Sequence, residues 1–354
     1  MNWLIIIFFL ISISLFMFTH YLRTKKEKRQ EDIEHFETEI ALTPIDKLAK
    51  YHNITLQFKN ANDARKLINK NAQYLQNMNQ PNLIARDCTS IGELYDKYLN
   101  AFDDISDNER KTIIKFILEL LDKIKPRNPA YYNYLCDWIR KICIAKAKPW
   151  LEAGMPHTLE NTIIMDANWF TNPRQTTFVH ELTHVNQRIV PFEFEDLYKD
   201  FGYIEYPEGV ENIKGMNSVI VLNRNNPDGL SPNWIWYEKT GNNYWWIGAV
   251  FSNATPNNLS DVSNVALKLE TDRDGMYYYL KQQPTLLNTL KEFNTFFGNN
   301  PNNYHPNEMA AKFSESYLEF ILGISENDNQ KYNCEGFKIY KQHFEKIIQS
   351  FYSK

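Results

Sequence analysis

The sequence predicts an α+β protein: an N-terminal transmembrane helix, a helical region, then a mixed part with a β-rich segment between two chemistry-bearing helices. Three observations carry this. Residues 3–18 are apolar apart from Ser12 and Ser14. Residues 31–149 show apolar residues at helical spacing, with helix-start patterns at Ser90 and Ser106. Aromatic runs around turn residues occupy about 212–282, between a helix containing His180 and another that begins near His305.

At 43% hydrophobic and 23% charged residues, the 354-residue chain has a globular composition, with room for one large domain or two smaller ones. A formal net charge of -4 argues against nucleic acid as the main partner. Cys88, Cys136, Cys143 and Cys334 form no C-x-x-C pair and no dense framework, so reduced thiols are expected.

The apolar run extends to Leu22, close to the roughly 20 residues that span a bilayer. Met1-Asn2 supplies no basic side chain and Phe18-Thr19-His20-Tyr21 is a poor cleavage site, so residues 1–22 read as an uncleaved anchor rather than a signal peptide. Arg23, Lys25, Lys26, Lys28 and Arg29 concentrate positive charge in the juxtamembrane segment 23–30. By the positive-inside rule this expects a single-pass membrane protein with the bulk of its chain cytoplasmic.

Residues 31–149 read as a helical domain. Ser106 with Glu109 opens an apolar-periodic run ended by Pro126, and a further helix is expected over 131–147, with Cys136 and Cys143 on one face. No chemistry is visible there. It begins in the region 150–325, with His157 and then Thr162-Ile163-Ile164-Met165-Asp166, a short strand whose exposed edge would pair with an extended substrate.

The next helix is expected to start at Asn172-Pro173 and stop at Pro191. Phe178, Leu182, Val185 and Ile189 form its apolar stripe, while Thr177, His180, His184 and Arg188 fall on another face. His180-Glu181-Leu182-Thr183-His184 is H-E-x-x-H. Two imidazoles four residues apart on a helix reach one metal, and Glu181 lies about 100° around from His180, beside the metal, where it can act as base.

Residues 192–211 read as a loop with short elements. Two hairpins follow, around Thr240-Gly241-Asn242-Asn243 and Asp272-Arg273-Asp274-Gly275. Residues 326–354 read as a C-terminal helix. Two imidazoles leave zinc one protein ligand short. Glu308, early on the helix that opens at His305-Pro306-Asn307 and followed by Ala310 and Ala311, is one source; Glu315, seven positions on, is the local rival. Tyr304, His305 and His157 are the candidate oxyanion donors.

His180–His184 together with Asn307-Glu308-Met309-Ala310-Ala311 resembles the gluzincin type of zinc metallopeptidase. More narrowly, the order of Met155-Pro156-His157-Thr158, the motif helix and His305-Pro306-Asn307-Glu308 is similar to uncharacterised zincin-like proteins of large DNA viruses. The resemblance implies a zincin-like core with Zn2+ on His180, His184 and Glu308, Glu181 as base, and a protein or peptide substrate. The chain departs from the gluzincin pattern in the long gap before Glu308 and in carrying Lys312 where some members place an Asp. The metzincin pattern is absent, since Val190 stands where it needs a third His. A zinc hydrolase of another bond and a catalytically silent structural protein are the alternatives.

The orientation has a direct reporter. Asn53, Asn253 and Asn258 lie in N-x-S/T sequons. All three should stay unmodified when the chain is expressed in a eukaryotic host, and glycosylation at any of them, read by mass spectrometry, reverses the topology.

Overall fold

The computed structural model describes residue 24 and residues 42–228, 233–280, 282–298, 304–324 and 332–352. The expected anchor, residues 1–22, lies outside the described residues, as does segment 23–30 apart from Thr24. Among the described residues no helix is long and apolar enough to cross a membrane.

The chain forms two units, Met1–His52 and Asn53–Lys354. In the first, α1 (Pro44–His52) is opened by Thr43, whose side chain accepts from the Asp46 N–H. The second mixes helices with two sheets and runs without division from Asn53 through residues 149 and 150 into the chemistry-bearing region.

The second unit begins with β1 (Gln57–Phe58), α2 (Ala61–Lys70), α3 (Ala72–Gln76), α4 (Gln80–Ile84), α5 (Ile91–Leu99) and β2 (Phe102–Asp103). α6 (Asp107–Ile124) starts at Ser106 with the full reciprocal capping box to Glu109. α7 (Pro129–Ile139) is shorter than expected, because the chain turns and re-enters as the strand β3 (Cys143–Ala147). β3 is buried along nearly its whole length, so it reads as a continuous apolar run that periodicity cannot tell from a buried helix. Cys136 and Cys143 thus sit on different elements. All four cysteines are free and buried.

β4 (His157–Leu159) and β5 (Thr162–Asp166) complete the first sheet. β1, β3 and β5 run parallel in that order, β4 pairs antiparallel with β5, and β2 pairs antiparallel with the far end of β3. The strand expected at 162–166 is present, but both its edges are covered. The sheet edge belongs to β4, which carries His157.

α8 (Ala167–Thr171) takes Asn172 as its C-cap, so the motif helix α9 (Gln175–Ile189), with Arg174 as its N-cap, starts two residues later than expected. Phe178, Leu182 and Val185 are buried, but Ile189, in the last turn, is 46% exposed. Pro191 ends α9 by opening a new helix, α10 (Pro191–Asp200), in what reads as loop.

β6 (Tyr203–Glu205) and the short α11 (Asn217–Ile220) lead into the two expected hairpins, β7 (Trp234–Glu238) with β8 (Asn243–Phe251) and β9 (Val262–Thr271) with β10 (Tyr277–Tyr279). They join as one antiparallel sheet in the order β10-β9-β8-β7-β6, with β11 (Thr285–Leu286) also on β9. The β-rich part is therefore wider than 212–282. Trp234, Trp236 and Trp246 are core residues of this sheet. α12 (Lys291–Phe297), α13 (Pro306–Leu322) and α14 (Glu335–Tyr352) follow.

α9 packs on β4 and β5 and, more extensively, on α13. Phe178 meets Phe116 of α6 and Trp169 of α8, and Tyr317 of α13 meets Tyr131 edge to face at 5.2 Å. Burying such rings contributes about 1.5–3 kcal/mol each and locks the motif helix in place.

One polar cluster ties α3, α4 and α5 to the turn before β4. Arg86 Nη2 meets Glu152 Oε2 at 2.8 Å with both side chains almost wholly buried, and Tyr98 donates to the same carboxylate. Arg86→Met alone leaves a buried unpaired carboxylate and should cost about 3–5 kcal/mol in urea unfolding of the full chain. Adding Glu152→Met should recover part of that loss; a double variant less stable than the single would contradict this account.

Candidate metal centre

The geometry of α9 and α13 brings three donors to one point. Ala310 and Ala311 are fully buried, and the Thr183 and Ser314 hydroxyls stand 2.8 Å apart where α9 meets α13. Small side chains let the two backbones approach, and Glu308, in the first turn of α13, then reaches the exposed ring atoms of α9.

His180 Nε2 lies 3.1 Å from His184 Nε2 and 3.4 Å from Glu308 Oε2, while His184 Nε2 lies 3.8 Å from Glu308 Oε1. Donors about 2.05 Å from a tetrahedral centre stand about 3.3 Å apart, so these three separations fit one ion. Two imidazoles and a carboxylate are also a donor set suited to zinc.

Each ring is held from behind. His180 Nδ1 faces Glu315 Oε1 at 2.8 Å, and Lys312 Nζ donates to the other Glu315 oxygen at 2.6 Å. His184 Nδ1 faces Gln187 Oε1 at 2.7 Å, and Gln187 Nε2 donates to the Asn307 carbonyl at 2.9 Å, which orients the amide. With both Nδ1–H groups donating rearward, both Nε2 atoms present lone pairs to the same point. Glu315, the rival ligand from sequence, thus contacts the wrong ring nitrogen to share that ion. It occupies the supporting place that Lys312 left open in the resemblance.

Glu181 is 4% exposed, and its Oε2 is buried with no hydrogen-bond partner among the described residues. Burial pushes this carboxyl well above the usual range, and the charge of Asp228 pushes it further. Glu308 goes the other way. Its burial opposes ionisation, yet the facing His184 and His180 hold it down at about 2. Burial pulls His180 down, but hydrogen bonds to Glu308 and Glu315 outweigh it and raise the ring well above its ordinary value.

His180, Glu181, Glu308 and Glu315 line a cleft of about 270 Å³ that also includes His157, Tyr304 and residues 224–228. Tyr304 OH lies 3.3 Å from Glu308 Oε1 and accepts from Asn226 Nδ2, which also donates to Glu308 Oε1 at 3.1 Å. His157 Nδ1 faces the Met155 carbonyl at 3.1 Å, so Nδ1 donates there and Nε2 is the ring nitrogen left for other partners. His305 is the N-cap of α13, its Nδ1 accepting from the Asn307 N–H at 3.2 Å, and its charge helps to hold Glu308 down.

Comparison with protein-family models, with curated proteins and with solved structures finds no match for this chain. The site therefore stands on its own geometry.

Sequence reasoning missed Gln187 as a partner, although its place three residues after His184 on the same helix was a usable signal. It also missed Asn226 and Asp228. They lie in an irregular stretch, and only the fold carries them to the cleft.

In the metal-free protein the titrations have opposite signs. Glu308, whose folded pKa is depressed, adds stability that is present above its ordinary 4.5 and lost as pH falls through about 2. The raised His180 adds stability that is fully present below its ordinary 6.5 and lost as pH rises through its folded value. Chelator-treated protein should therefore lose stability on alkaline titration, and His180→Gln should flatten that limb of the denaturation profile; an unchanged limb would contradict the assignment.

Metal content separates the two carboxylates. After dialysis, folded Glu308→Ala should be empty, whereas Glu315→Ala should still load, with affinity about 10–100-fold weaker. The reverse result would move the third donor to Glu315.

Proposed function

We propose that this chain is a zinc-dependent hydrolase of peptide bonds with a zincin-like core of the gluzincin type. The observation that carries this reading is the convergence of His180, His184 and Glu308 beside a buried carboxylate, Glu181, that has an oxygen without a partner. A structural zinc site needs the first feature but has no use for the second, which speaks against a silent protein.

Zinc on the three donors would supply a Lewis acid for the scissile carbonyl and bring the pKa of water towards neutrality. The chain's own residues do the rest. Glu181 takes a proton from the attacking water and returns it to the leaving amine, a role suited to a carboxyl whose pKa is raised by burial and by Asp228. Tyr304, whose O–H donates to Glu308 Oε1 at 3.3 Å in the free site, turns that proton to the developing oxyanion, since burial and the neighbouring Glu308 keep its phenol protonated. Asn226 holds both Tyr304 and Glu308 in place. His157, which lines the cleft and keeps Nε2 as an acceptor, receives a substrate N–H.

The edge strand limits how a substrate binds. The Thr158 N–H donates to Asp228 Oδ1 at 2.6 Å, and its carbonyl accepts from Arg188 Nη2 at 3.0 Å. These are the groups that an added strand would use. An extended peptide therefore pairs along little of β4, and a short segment is the fitting substrate. The same observation favours a second reading, zinc hydrolysis of a bond in a small non-peptide molecule. Under either, the apolar residues 3–22 tether the unit to a bilayer and the basic flank keeps it on the cytoplasmic side.

Glu181→Gln removes the base and leaves the donors. It should keep its zinc and lose roughly 100-fold or more in turnover of a peptide library, read by mass spectrometry. Undiminished cleavage would remove Glu181 from the mechanism.

A further inference from the structure

Among the described residues, Arg224 is the one arginine or lysine side chain that lines the cleft. The cations around it are taken. Arg86 is paired with Glu152, Lys312 with Glu315, and Arg188 binds the backbone of Thr158 and Pro227. Arg224 is half-buried and has no carboxylate within ion-pair distance among the described residues. Its Nη2 donates to Tyr304 OH at 3.0 Å and its guanidinium carbon lies 5.5 Å from the centroid of that ring, while its Nε and Nη1 make no hydrogen bond among the described residues. A half-buried guanidinium whose Nε and Nη1 face the cleft can exchange water there for a carboxylate, which its planar fork binds by charge-assisted hydrogen bonds.

The surrounding chain holds that guanidinium in place before any ligand comes. Asn82 Nδ2 donates to the Asn223 carbonyl at 2.8 Å, and the Arg224 N–H donates to Ala249 at 2.9 Å. Arg86 Nη2 donates to the Asn225 carbonyl at 3.0 Å, and Arg188 Nη2 to that of Pro227 at 2.6 Å. Four anchors, two from α4 and the turn that ends it and one each from β8 and α9, fix five residues. Such preorganisation lowers the entropy cost of binding. The Tyr304 hydroxyl links Arg224 to Glu308, so a group bound by Arg224 sits one side chain away from the metal donors. Since Thr158 on β4 is already engaged, recognition by backbone pairing is restricted and recognition by charge has more to do.

We infer that Arg224 receives a carboxylate of the substrate next to the bond that is cut. The inference rests on the hydrolase reading for the place of that bond, and on Arg224 alone for the charge. A free C-terminus and an acidic side chain offer the same chemistry.

The test uses the full chain carrying Glu181→Gln, zinc-loaded, so that binding is read without turnover. Four N-acetylated alanine pentapeptides serve as probes: a free C-terminal acid, its amide, an amidated peptide with a central Glu, and the same with Gln. Calorimetric titration should show one acid binding at least about 10-fold more tightly than its neutral counterpart. That advantage should fall to within about 3-fold when Arg224→Gln is added, with zinc content unchanged as the control for folding. Whether the end or the side chain carries the advantage identifies the source of the carboxylate. An acid that coordinates the metal instead keeps its advantage in Arg224→Gln, which overturns the inference. So does the absence of any preference, weak or no binding by all four included. Cleavage is scored separately with the wild-type chain. A charge preference without cleavage removes the peptidase reading and leaves the carboxylate site, whereas cleavage without preference removes the carboxylate site alone.

Discussion

The close approach of α9 and α13 is the constraint on which the site depends. Glu308 and Glu315 stand on one face of α13 and straddle His180 of α9, one carboxylate at each ring nitrogen. Such an arrangement requires the helices to lie nearly against each other, and Ala310, Ala311 and Ser314 provide the room. The packing link and the chemical link are therefore the same residues. The aromatic contacts at the outer faces of both helices, Phe178 with Phe116 and Tyr317 with Phe344, keep the crossing from sliding.

The wall opposite these helices is built differently. It is an irregular stretch, residues 222–228, held by polar contacts to β8, β4, Asn82 and Arg86. Arg86 in turn rests on Glu152, in a turn where Glu152, Ala153 and Gly154 take φ of 47°, 56° and 76°. Left-handed conformations at two non-glycine residues cost of order 1–3 kcal/mol each, and the buried ion pair is what keeps them populated. Residues 61–99 thus do more than provide a helical scaffold: they set the shape of the cleft from behind.

How much of this the sequence disclosed follows from how local each signal is. The motif helix was legible because one metal demands two imidazoles one turn apart, and Glu308 because a cap, a proline and small residues surround it. Both hairpins were legible from their turn residues. β3 was not, because a strand buried on both faces shows no alternation. The capping role of His305 was not read, because a residue that starts a helix and a residue that donates to substrate look alike in a string. Arg224, Asn226 and Asp228 were invisible for a stronger reason: their positions are set by partners such as Asn82, 141 residues earlier than Asn223.

The central claim is that His180, His184 and Glu308 share one ion with a position left for substrate or water. X-ray absorption at the zinc edge of the full chain reads that shell directly. The account predicts about four light scatterers at about 2.0–2.1 Å, with the multiple-scattering signature of two imidazoles. A shell containing sulfur at about 2.3 Å, one without imidazole scattering, or a protein that takes up no zinc would contradict it.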